Sequence, residues 1–126
     1  MALDPAQVAA LVSQAFFDAA WCALDEPGAL VVNFMDDDPH FDRNLQRVER
    51  AFGGAVVAFQ SLRDPNIVVI GLKGAPPGVE WRELRARAAA LERKYGLPFP
   101  RYVERLRTMN RWTADRLLIA PADREG

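Results

Sequence analysis

AVVAFQSLRDPNIVVIGL, residues 55–72, decides how the chain folds. Its two ends, 55–60 and 67–72, are apolar runs rich in β-branched residues, the kind that suits a half-buried pleated surface. Between them Arg63-Asp64-Pro65-Asn66 sets proline where its fixed φ favours a tight turn. The stretch predicts a β-hairpin. Upstream, residues 29–35 (ALVVNFM) form a third, nearly continuous apolar run, the pattern of a buried strand. Asp38-Pro39 then opens a helix, with a carboxylate cap before proline at the first helical position. Phe41, Leu45, Val48 and Phe52 follow at steps of four, three and four, and Gly53-Gly54 closes the helix.

The flanks follow the same logic. Asp4-Pro5 starts a first helix whose apolar face (Val8, Leu11, Val12, Ala15, Phe16, Ala19) runs to about Leu24, where Pro27-Gly28 stops it. Residues 74–78 (GAPPG) read as a loop. Trp81, Leu84, Ala88, Leu91 and Tyr95 mark a long helix ending at Gly96, and the prolines of 97–100 (LPFP) break it. A shorter helix follows, with Tyr102, Val103, Leu106 and Met109 turned inward. Residues 116–120 (RLLIA) are either a last strand or more of that helix; strand is the reading adopted.

After the N-terminal helix the order is strand, helix, strand, strand, broken helix, strand. That is the βαββαβ order of a ferredoxin-like split βαβ sandwich, an α+β fold. A mixed three-layer α/β sandwich is the alternative. In the ferredoxin-like arrangement helices cover one face of the sheet only. Strands one and three are apolar at nearly every position, so their second face also needs cover, from the N-terminal helix or from a second subunit.

Composition bounds the rest. At 126 residues, half apolar and about a quarter charged, residues 1–126 read as one globular domain. Cys22 is the only cysteine, which excludes an intramolecular disulfide and suits a reducing cytoplasm. The first residues lack the basic start of a signal peptide, and no run approaches the roughly 18–20 apolar residues of a membrane span.

Candidate chemistry gathers after strand one. Asp36, Asp37, Asp38 and Asp42 stand at a strand end, where hard cations such as magnesium or manganese take oxygen ligands. Helix capping and charge at a helix N-terminus explain the same residues without a metal. His40, the only histidine, sits among them as the one side chain whose ordinary pKa suits acid–base work near neutrality. Cys22 has no basic residue before Arg43 to activate it, and no phosphate-binding glycine pattern occurs. No cofactor is expected, beyond Mg or Mn if the acidic turn is catalytic.

Charge divides sharply along the chain. Residues 1–42 hold eight acidic residues and no lysine or arginine; residues 43–116 hold fifteen basic and seven acidic. Arg101, Arg105 and Arg111, with Trp112 beside them, mark a candidate surface for a nucleic acid or another partner. Overall charge is −1 and the pI about 5.8, so the two halves nearly cancel. That balance favours complementary protein surfaces over a polyanion. The expectation is a cytoplasmic, non-enzymatic module that binds protein, most simply a second copy of itself. A metal-dependent phosphodiester or nucleotide enzyme and a nucleic-acid-binding accessory protein are the alternatives.

Overall fold

The computed structural model describes residues 12–119. The Asp4-Pro5 start and Ala120 lie outside them. Among the described residues are four α-helices, a short 3₁₀ turn and five strands. They are α1 (Gln14–Ala23), β1 (Gly28–Met35), α2 (Phe41–Ala51), β2 (Val56–Gln60), β3 (Asn66–Lys73), β4 (Gly78–Glu80), α3 (Trp81–Tyr95), α4 (Phe99–Arg105) and β5 (Arg116–Leu118), with the 3₁₀ turn at Leu106–Thr108. The chain is a small α+β fold.

The hairpin forms as its sequence requires, with β2 antiparallel to β3 and Phe59 opposite Val68. β3 is also antiparallel to β1, Val31 facing Ile70, so the sheet order is β1-β3-β2. β1 and β2 therefore run parallel, joined through α2, with β3 between them. The last strand departs from the expected order. β5 pairs with β4, a three-residue strand inside the segment read as loop and helix start, and the two make a separate sheet. The edge of β1 thus stays without a fourth strand among the described residues.

Each face of the three-stranded sheet has its own core. Leu30, Val32 and Phe34 of β1, Ile67 and Val69 of β3 and Ala58 of β2 pack with Phe17 of α1 and Val48 of α2. The opposite face packs Val57, Ile70 and Leu72 against Trp81, Ala88, Val103, Leu117 and Ile119. The N-terminal helix was a candidate to cover the second face; α1 instead lies on the first, beside α2. Arg47 explains part of this placement. Its guanidinium donates to the Val12 carbonyl (3.0 Å) and to Oδ1 of buried Asn44 (3.1 Å). Gln14 Nε2 donates to the Arg47 carbonyl in return. α1 is capped at Ser13, whose hydroxyl accepts the Phe16 N–H at 3.2 Å. At its other end Lys73 Nζ donates to the carbonyls of Trp21 and Leu24, both 2.8 Å, and sits 4.0 Å from the Trp21 ring centroid. A cation over a helix C-terminus satisfies carbonyls that the helix itself cannot.

The two edges of the sheet are treated differently. Asn110 plugs the β2 edge: its side chain accepts the Ala58 N–H (2.8 Å) and donates to the Ala58 carbonyl (2.7 Å), standing in for a neighbouring strand. The Arg107 guanidinium, stacked 4.6 Å from the Trp81 centroid and 5.3 Å from that of Trp112, holds the following segment against α3. Met109, expected inward, is partly exposed for that reason: Asn110 takes the inward position. In the sheet itself, a Cβ on Gly71 would stand 2.9 Å from the ring of buried Phe52.

Two substitutions test these contacts. Gly71→Ala should destabilise the fold by about 1–3 kcal/mol through overpacking, with part of the loss recovered when Phe52→Leu is added. Asn110→Ala should cost about 1–3 kcal/mol by stranding the buried Ala58 backbone groups. Urea denaturation measures both, and an unchanged midpoint for Asn110→Ala would refute the plug.

Candidate functional site

The acidic turn and the hairpin turn meet at one end of the sheet. The Met35–Asn66 pairing at the end of the ladder carries the chain directly into Asp36, whose N–H donates to the Pro65 carbonyl at 2.8 Å. Gln60 Nε2, from the end of β2, donates to Asp36 Oδ2 at 2.9 Å. Three separate stretches of sequence are thereby brought together around one carboxylate. Arg105 braces them from α4, its Nη1 donating to the carbonyls of Ser61 (3.2 Å) and Gln60 (3.5 Å).

The remaining carboxylates have distinct roles. Asp38 Oδ1 accepts the His40 N–H at 2.8 Å, which turns the chain into α2. The helix itself starts two residues later than the Asp38-Pro39 signal implied, with His40 at the cap position and no side-chain cap bond. Asp37, Asp42 and Asp64 are exposed. None of Asp36, Asp37, Asp38, Asp42 and Asp64 forms an ion pair within 4 Å among the described residues. Concentrated unpaired carboxylates create a field that draws cations. Among the described residues no three His, Cys, Asp or Glu side chains are grouped so as to hold a metal ion. Of the four aspartates named for magnesium or manganese, Asp36 turns to Gln60 and Asp38 to the backbone of its own turn, while Asp37 and Asp42 face solvent.

The arginines marked as a surface differ in their contacts. Arg105 is spent on the hairpin carbonyls, whereas Arg101 and Arg111 are exposed. Trp112 belongs to the Arg107 stack, and its Nε1 donates to the Arg107 carbonyl at 3.1 Å. Sequence reasoning passed over Gln60, Arg107 and Asn110.

A hollow lies on the opposite side of the hairpin from α2. This cleft of about 540 Å³ is lined by Val57, Phe59, Ile70, Leu84, Leu91 and Tyr102, with Arg87 among them. Cys22 is exposed on α1. No helix among the described residues is long and apolar enough to cross a membrane.

With this geometry in place, the comparisons with known proteins become informative. The chain is 33% identical over 112 residues, 89% of its length, to the polyamine aminopropyltransferase of Chromobacterium violaceum. It is 30% identical over 101 residues to the polyamine aminopropyltransferases of Neisseria meningitidis serogroups A and B. The matches cover 43% and 38% of those proteins, so the chain spans less than half the length of the curated relatives it matches. A 112-residue span of a 126-residue chain must include residues 15–112, and hence both turns of the acidic end. No protein-family model matches the chain, and no solved structure matches it significantly. The expectation of a non-enzymatic binding module is corrected by these relatives: the chain is similar to enzymes across nearly its whole length.

The brace makes one prediction. Arg105→Ala should speed amide hydrogen exchange in residues 61–66 while leaving the amides of α2 unchanged. Equal protection in both proteins would show that Arg105 does not hold the hairpin.

Proposed function

We propose that the chain forms part of an aminopropyl-transferring enzyme, and that its acidic end holds the polyamine that takes part in the transfer. One observation carries the reading: a 33% identity to a polyamine aminopropyltransferase that runs through the acidic turn and the hairpin together. The chemistry agrees. A polyamine at neutral pH carries several ammonium groups, each a donor of three hydrogen bonds with no acceptor, and carboxylates are their natural partners. Asp36 is oriented by Gln60 and by the Pro65 contact, while Asp37 and Asp64 stay open to solvent beside it.

Transfer of an aminopropyl group forms a bond between an amine nitrogen and carbon as the donor's bond to that carbon breaks. The attacking nitrogen must be free of its proton, which a neighbouring carboxylate or water can take. The other nitrogens keep their charge and anchor the molecule. In this reading Asp36 and Asp37 are anchoring residues, Gln60 and Arg105 positioning ones. The same reading puts the chain in the cytoplasm, where its single cysteine remains a thiol.

Calorimetry with spermidine tests it. Binding should appear at low ionic strength and weaken as salt rises. Asp36→Asn/Asp37→Asn, which keeps side-chain shape and the Gln60 contact, should weaken it about tenfold, a change of about 1.4 kcal/mol. Hexane-1,6-diol, apolar in the middle but uncharged, should give no heat. Absence of spermidine binding at millimolar concentration, or binding indifferent to the double substitution, would overturn the reading.

A further inference from the structure

We draw no further inference here: the strongest candidate, the apolar cleft of about 540 Å³ between the sheet and helices α3 and α4, carries nothing because nothing in the structure shows what covers or fills it.

Discussion

The rest of the structure depends on β3 being hydrogen-bonded on both sides. Asn66–Lys73 pairs with β1 along its whole length and with β2 along most of it, so every other element is placed by reference to this strand. Its alternating side chains divide between the two cores: Ile67 and Val69 to one face, Ile70 and Leu72 to the other. A central strand with apolar residues on both faces can exist only between two covering layers, because neither face can be left to water at full length. Gly71 is the one break in the pattern, and there the ring of Phe52 lies against the backbone. The end of β3 also anchors α1 through Lys73. One strand thus holds both cores and the first helix.

That arrangement decides what the charges can do. Four of the sixteen basic side chains are tied into the fold: Arg47 joins α1 to α2, Arg105 braces the hairpin, Arg107 is held between two tryptophans, and Lys73 caps α1. The carboxylates around β1 are not consumed in this way. Asp36 and Asp38 meet neutral donors, and Asp37 and Asp64 meet solvent. The end of β1 therefore carries exposed carboxylates, with exposed Arg43 and Arg63 next to Asp42 and Asp64 in the chain.

The candidate site was legible in part. Its carboxylates were evident from Asp36-Asp37-Asp38 at a strand end, because a charged run after an apolar strand must emerge at the sheet's margin. The partner of Asp36 was not, since Gln60 is 24 residues away and an amide carries no periodic signal. Arg105 was marked for its charge, but the carbonyls that hold it belong to a turn 44 residues upstream. Among the described residues the aspartates form no group of three that could hold a metal ion, and of the arginines marked as a surface only Arg105 is bonded to distant backbone.

By itself the sequence determined the elements and their faces. Apolar period and turn residues act locally, so the hairpin at 56–73, the helix ended by Gly96 (φ 71°) and the proline break after it all follow from short stretches. The α+β class followed from their order. Tertiary structure alone decided where the last strand goes and which face α1 covers. β5 could have joined β1 by pattern, but Asn110, Arg107 and the tryptophans hold the chain before it on the β2 side, so it pairs with Gly78–Glu80 instead. α1 could have covered either face, and the Arg47 contacts with Val12 and Asn44 commit it to the side of α2. Such choices rest on bonds between residues far apart in the chain, and pairings of that kind leave no periodic trace in a single sequence.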